Sequence, residues 1–293
     1  MRTVRSVSEL RKELAGPRRA GRRIGLVPTM GAFHEGHLSL MRRARRDCDV
    51  VVTSLFVNPA QFNEPSDLRS YPRDERADTA RAAELGVDIL FAPPVDEVYP
   101  PGFSTTVSVG GLTESLEGAQ RGRSHFDGVT TVVTKLFNMV GPDVAYFGQK
   151  DAQQAAVIRR LVRDLNHPAR IEVCETVREP DGLAMSSRNV CLSQSDRRRA
   201  AALHRALLAA DEAVAKGVRD PAAVTERAMS ELAESGIEPE YVELVSAESF
   251  QPVRTVEGDV LALVAARVGG VHLIDNHMLS TTAEAGSTNN GRS

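Results

Sequence analysis

The run Val50-Val-Val-Thr-Ser-Leu-Phe-Val57 is of strand length and apolar almost throughout. A strand with one wet face alternates apolar and polar side chains, whereas one that is apolar on both sides of the pleat is covered on both faces, as in a parallel sheet between layers of helix. Similar runs lie at 23–28, 87–91, 144–147 and 171–177. Between them, 34–46, 73–85, 128–140 and 151–165 carry helical patterns. Ser6 and Glu9 have the spacing of a capping box, which predicts a short helix ahead of the first run. This alternation predicts an α/β fold built on a Rossmann-like parallel sheet. Sheets of that kind receive ligands beyond the carboxyl ends of their strands, so the loops after Val27, Val57 and Phe147 are where chemistry is expected.

Past Val177 the texture changes to a polar loop. Two Ala- and Arg-rich helical stretches follow at 193–216 and 221–234, then strand candidates at 240–246, 259–268 and 271–275. This predicts a smaller α+β C-terminal domain. The expected organisation is residues 1–176 as the ligand-binding domain, 177–281 as a C-terminal lid and 282–293 as a disordered tail of small polar residues. A length of 293 residues accommodates two such domains.

Charge and composition narrow the class further. Apolar residues make up 42% and charged ones 26%, and 36 basic against 39 acidic side chains leave a formal charge of -3. That balance fits a soluble globular protein and gives no reason to expect nucleic acid, because the Arg clusters at 18–23, 42–46 and 197–199 are interspersed with acids. The most apolar stretches, 50–57 and 260–274, are respectively too short and interrupted by Arg267 to cross a bilayer, and residues 1–23 lack a signal-peptide core. Cys48, Cys174 and Cys191 are far apart and form no C-x-x-C pair, so a cytoplasmic setting is expected.

The loop after the first strand reads Pro28-Thr-Met-Gly-Ala-Phe-His34-Glu-Gly-His37. His34 and His37, three apart, share one face at the start of a helix, where free backbone N–H groups and the dipole favour an anion. Two imidazoles there can donate to phosphoryl oxygens, and Gly36 thins the backbone. An equally open reading has one histidine near the cap and the other packed. A zinc site is disfavoured because H-E-x-x-H spacing is absent. Pro59 stops the second strand and leaves Asn58 and Gln61 as neutral hydrogen-bonding groups at the sheet edge, which is also ordinary loop chemistry.

At the third junction, Phe147-Gly-Gln-Lys150-Asp151-Ala-Gln-Gln154, one of only four lysines follows a strand. An ammonium there suits a point contact with phosphate. Asp151 and Gln154 also have capping-box spacing and could serve only their helix. Farther on, Met185-Ser-Ser-Arg188-Asn189 puts two hydroxyls and a guanidinium in a polar stretch, readable as a mobile anion clamp or as a linker. No Walker loop, dinucleotide fingerprint or nucleophile triad occurs.

H-x-G-H beside a first strand resembles the signature of the nucleotidyltransferase superfamily that includes the class I aminoacyl-tRNA synthetases. The longer P-T-M-G and H-E-G-H strings, N-P-A-Q-F, Y-P-R and M-S-S-R-N together resemble the pantothenate synthetase (pantoate–beta-alanine ligase) family from about Arg23 to Asn276. The resemblance implies a ligase that joins pantoate and beta-alanine at the expense of ATP with Mg2+, through a pantoyl adenylate. It also implies a homodimer. His34, His37, Lys150 and Arg188 would be catalytic. ATP would meet Pro28, Thr29, Met30, His37, Gly148, Lys150, Asp151, Val177, Met185, Ser186, Ser187 and Arg188; pantoate would meet Met30, Gln61 and Gln154. For the metal, Asp78 is the nearest acidic candidate, although its neighbours Ala77 and Thr79 are uncharged and a solvated helix face explains it equally well.

The segment from Glu117 to His125 departs from the family pattern by one extra residue, leaving either Arg121 or Arg123 as the functional arginine. The rival readings are another adenylyl- or cytidylyltransferase, a nucleotide-binding regulator without turnover, and a tRNA-binding relative of the synthetases.

Overall fold

The fold is that of a computed structural model, and residues 1–281 are described; the tail expected at 282–293 lies outside the described residues. The described residues divide into two compact units, Met1–Val190 and residues 191–281. Residues 177–190, read from the sequence as the opening of the second domain, therefore group with the first unit.

In the first unit six strands form one parallel sheet: β1 (Arg2–Val4), β2 (Ile24–Thr29), β3 (Val50–Leu55), β4 (Ile89–Phe91), β5 (Val144–Gly148) and β6 (Arg170–Cys174). Their order is β1-β4-β3-β2-β5-β6. Eight helices connect them: α1 (Val7–Arg19), α2 (Glu35–Asp47), α3 (Pro65–Ser70), α4 (Glu75–Glu84), α5 (Val95–Val98), α6 (Glu117–Arg121), α7 (Arg123–Val140) and α8 (Ala152–Asp164). The expected capping box is present at the start of α1, where Ser6 accepts from the Glu9 N–H and Glu9 reaches back.

Adjacent residues of the central strands go to opposite layers. Leu26, Val50, Val52, Ala145 and Phe147 pack with Leu10 and Leu14 of α1 and with Val129, Val133 and Leu136 of α7. Val27, Val51, Val144 and Tyr146 pack instead with Leu40, Met41 and Ala44 of α2 and Ala82 of α4. Burial on both sides is why these strands read as unbroken apolar runs.

The chain runs outward from β2 to β3 and β4 on one side, then crosses to β5 and β6 on the other, so β2 and β5 flank the switch point of the sheet. Their ladder pairs only Gly25 with Val144 and Leu26 with Ala145. Beyond those pairs the carboxyl halves of β2 and β5 share no bridge, and the loops that follow them open onto a cavity.

The second unit contains α9 (Gln194–Ala200), α10 (Ala202–Ala215) and α11 (Pro221–Glu234), followed by an antiparallel sheet of β7 (Pro239–Ser246), β8 (Val260–Val268) and β9 (Val271–Met278). Gly269 and Gly270, at φ 58° and 80°, make the two-residue turn between β8 and β9. Both central residues of such a turn need positive φ, which glycine adopts without a steric penalty. No helix among the described residues is long and apolar enough to cross a membrane.

Candidate active site

A cavity of about 240 Å³ lies beyond the carboxyl ends of β2, β3 and β5. Its wall gathers residues that the sequence supplies from well-separated segments. Pro28, Thr29 and Met30 leave β2; His34 and His37 come from the start of α2; Gln61 follows β3. Gly148, Lys150, Asp151 and Gln154 follow β5, and Val177, Met185, Ser186, Ser187 and Arg188 come from the segment after β6. Asp78, Arg121 and Arg123 are not part of that wall.

His34 is the N-cap of α2. Its Nδ1 accepts the Gly36 N–H at 3.2 Å, and the His34 N–H reaches Nδ1 of His37 at 3.4 Å. A Cβ on Gly36 would come within 2.8 Å of the His34 ring, so the glycine is what lets the imidazole fold over the helix start. The two readings of this histidine pair are thus compatible. With Nδ1 engaged as an acceptor, the neutral ring carries its proton on Nε2 and keeps one donor.

Both rings are held neutral. Burial, reinforced by the Lys150 charge, pushes His34 down to about 4. Burial and the proximity of His34 push His37 down to about 3. The ring centroids are 4.2 Å apart, so a second positive charge there would be costly.

The capping alternative at the third junction is not realised: Asp151 is the N-cap of α8 but makes no side-chain cap bond. Its carboxylate lies 3.7 Å from the Lys150 ammonium, and Lys150 is largely covered, with its side chain 19% exposed. Asp151 and Gln154 are therefore placed to line the cavity rather than to hold the helix.

On the β3 side a buried relay fixes one amide. Tyr99 Oη donates to Asn58 Oδ1 at 2.8 Å, and Asn58 Nδ2 donates to Gln61 Oε1 at 3.0 Å and to the Gly128 carbonyl at 3.1 Å. The Gln61 carbonyl oxygen is thereby occupied, leaving its NH2 group as the available donor. His125 Nδ1 lies 2.8 Å from the Gln61 backbone carbonyl, and burial pushes this imidazole down to about 4.

Of the two candidate arginines, Arg121 is tied to the buried Glu117 at 2.7 Å, while Arg123 is mostly exposed and stands 3.9 Å from Asp127. Ser187 and the half-buried Tyr71 share a hydrogen bond, which brings the loop before α4 against the Ser186–Arg188 segment.

Sequence reasoning overlooked much of the apolar wall. Val129, Val132, Val133 and Leu136 on α7, together with Phe56, also line the cavity. Their helical spacing reads as ordinary core, and on periodicity alone a buried wall facing a cavity is indistinguishable from one facing a strand. Among the described residues no group of three or more His, Cys, Asp or Glu side chains is arranged to hold a metal ion.

Two neutral imidazoles, an ammonium and a guanidinium around the switch point of a parallel sheet define a class: a nucleotide-using α/β enzyme that handles phosphate without a Walker loop. The family model described as pantoate-beta-alanine ligase matches residues 2–278. The chain belongs to that family. It is 54% identical to the pantothenate synthetase of Cereibacter sphaeroides over 273 residues, covering 93% of this chain and 98% of the relative. The crystal structure of pantothenate synthetase from Thermus thermophilus superposes with a TM-score of 0.90 at 47% identity, over 94% of this chain and 99% of that one. A pantoate-beta-alanine ligase from Francisella tularensis, solved in complex with beta-gamma ATP and beta-alanine, matches at a TM-score of 0.79 and 33% identity, over 95% and 97% of the two chains.

Proposed function

We propose that this protein condenses pantoate with beta-alanine to give pantothenate, AMP and pyrophosphate. The supporting observation is the convergence of His34, His37, Lys150 and Arg188 on one cavity at the sheet's switch point. Family membership supplies the substrates.

In this reading a pantoate carboxylate oxygen attacks the α-phosphorus of ATP, the bond to the bridging oxygen of pyrophosphate breaks, and a pantoyl adenylate remains bound. The beta-alanine amine then attacks the acyl carbon, AMP leaves and the amine proton is lost to solvent. No bond to the protein forms.

The side chains bind, align and neutralise. His34 and His37 offer neutral Nε2–H donors to the phosphoryl oxygens as their charge grows, with no proton changing hands. Lys150 supplies a fixed positive charge, and Arg188 with the hydroxyls of Ser186 and Ser187 receives the departing pyrophosphate. Gly148 and Asp151 take the ribose, while Pro28, Thr29, Val177 and Met185 border the rest of the nucleotide. Gln61, Gln154 and Met30 hold pantoate, the Gln61 NH2 donating to a substrate oxygen. Mg2+ enters with the triphosphate as part of the substrate. The apolar α7 wall excludes water from an acyl phosphate that would otherwise hydrolyse. By family resemblance the enzyme is a cytoplasmic homodimer.

The test withholds the amine. Protein, ATP, Mg2+ and pantoate are mixed, and mass spectrometry looks for the acyl adenylate with stoichiometric pyrophosphate. Nucleotide binding without pantoate-dependent pyrophosphate release would overturn the assignment.

A further inference from the structure

The segment that carries the histidine pair has an unusual backbone. Gly31 has φ 89° and Ala32 has φ 51°, two successive residues in the left-handed region, and a Cβ-bearing residue such as Ala32 occupies that region at a cost of about 1 kcal/mol. Such a conformation persists only where the surroundings hold it. Successive N–H groups in a bend of this sort converge into a concavity that accepts an anion.

Here the anion comes from the protein itself. Asp78, on α4 and 2% exposed, accepts the Ala32 N–H on Oδ2 at 2.8 Å and the Phe33 N–H on Oδ1 at 2.7 Å. Arg81, one helical turn farther along the same face of α4, donates to the Phe33 carbonyl. A Cβ on Gly31 would come within 2.9 Å of Asp78 Oδ2 and 2.6 Å of Leu55 Cδ1, so the strand–loop junction closes directly onto the carboxylate.

A magnesium ion makes different demands. It takes oxygen ligands at about 2.0–2.1 Å in near-ideal octahedral geometry and usually keeps several waters. Each Asp78 oxygen instead faces the positive end of a peptide N–H, and the residue is 2% exposed.

We propose that Asp78 and Arg81 are positioning residues: a two-point clamp on α4 that fixes the backbone of residues 31–33 and so places His34 and the β2 terminus at the cavity, with Asp78 serving as internal anion and not as a metal ligand. The catalytic consequence rests on the adenylate-forming reading above, while the clamp itself is readable without turnover. His34 follows immediately after the two clamped amides, and a displacement of about 1 Å in an aligned site is enough to cost about 100-fold in rate.

The clamp is tested on the full chain with Asp78→Asn, Arg81→Ala and Arg81→Lys. Asparagine is isosteric but presents one acceptor and one donor to two N–H groups. Arg81 is exposed, so its variants fold even if the buried Asp78 variant does not. The first readout is amide hydrogen exchange over residues 30–37 without ligands. Faster exchange is expected in Asp78→Asn and Arg81→Ala, and recovery toward wild type in Arg81→Lys. The second is pantoate-dependent adenylate formation at saturating ATP, expected to fall about 10- to 100-fold with an unchanged Mg2+ concentration for half-maximal rate. The third titrates Mn2+ into nucleotide-free protein and expects no site sensitive to Asp78→Asn.

Recovery of Asp78→Asn by excess Mg2+, or a Mn2+ site lost in that variant, would make Asp78 a metal ligand and overturn the proposal. Unchanged exchange in Arg81→Ala would remove the second point of the clamp. Absence of adenylate formation by the wild type would refute the functional reading while leaving the exchange result to judge the clamp.

Discussion

Asn58 Nδ2 donates to Oε1 of Gln61 at 3.0 Å, and the Tyr99 hydroxyl sets the direction of that bond by donating to Asn58 Oδ1. Asn58 is 1% exposed and its amide cannot turn without stranding both groups. The end of Gln61 offered to a ligand is therefore a donor, suited to the oxygens of a hydroxy acid. Gln61→Ala should weaken pantoate at least tenfold and ATP about twofold or less. Gln61→Glu should be worse than alanine, because it places carboxylate oxygens where the substrate needs a donor. Tyr99→Phe should cost pantoate binding only a few-fold. Isothermal titration with each ligand checks all three; equal losses for ATP and pantoate would remove Gln61 from pantoate recognition.

The neutral histidine pair sets the pH behaviour. With His34 at about 4 and His37 at about 3, neither ring gains a proton between pH 8 and 5. In the nucleotide-free enzyme neither ring should titrate near pH 6.5, the ordinary histidine value, as followed by the pH dependence of the imidazole NMR signals. A transition there would mean that imidazolium is present when nucleotide binds.

The same groups act on stability with the opposite sensitivity. Their folded-state values lie below 6.5, and His125 joins them at about 4, so between pH 6.5 and about 4 the unfolded chain binds protons that the folded chain does not. Stability should be fully present above pH 6.5 and decline as the pH falls through that window. Urea midpoints at pH 7.5, 6 and 5 measure it, and a midpoint that stays constant to pH 5 contradicts it.

Lys150→Ala should slow adenylate formation by roughly 100- to 1,000-fold with an unchanged urea midpoint, since a fixed charge aimed at developing charge is lost from a covered site. Lys150→Arg should recover little, because a planar guanidinium does not occupy the position of a compact ammonium. Rapid-quench measurement of pyrophosphate release decides; near-normal rates in the alanine variant would take Lys150 out of the chemistry.

What the sequence disclosed follows from the range of the interactions involved. The doubly covered strands are legible because burial on both faces is written in consecutive apolar residues, as in Val50, Val51 and Val52. β1, at Arg2–Val4, escapes notice because three residues are too few to show a period. β6 is shorter than its apolar run because it is an edge strand paired only with β5, and that ladder ends where Gly148 meets Cys174. The loops that carry His34, Lys150 and Arg188 could be named as strand-to-helix junctions and motifs. The role of Asp78 could not, because its partners are backbone amides 45 and 46 residues away, and backbone donors leave no trace in the identity of Ala32 or Phe33. The α7 helix starts at Arg123, ahead of the expected 128, because Gly128 reads as a boundary while serving a different need.

That need yields a prediction against the usual ranking of helix formers. Gly128 is buried within α7, and on propensity alone Gly128→Ala should stabilise by about 1 kcal/mol. A Cβ at this position, however, would lie 2.3 Å from the Ala60 carbonyl oxygen and 2.7 Å from the Gln61 N–H nitrogen. Both are backbone atoms of the short helix Pro59–Gln61, so no side chain can swing aside. Overpacking of this kind costs about 1–3 kcal/mol and moves whichever segment yields. The yielding segment carries Gln61 and is anchored through Asn58 to the Gly128 carbonyl, so the damage should reach pantoate before it reaches ATP. Thermal unfolding should shift down by several degrees, and titration should show a larger loss for pantoate than for nucleotide. An alanine variant with a raised melting temperature and wild-type pantoate affinity would mean that α7 and the Gln61 segment are not in the close backbone contact on which this argument depends.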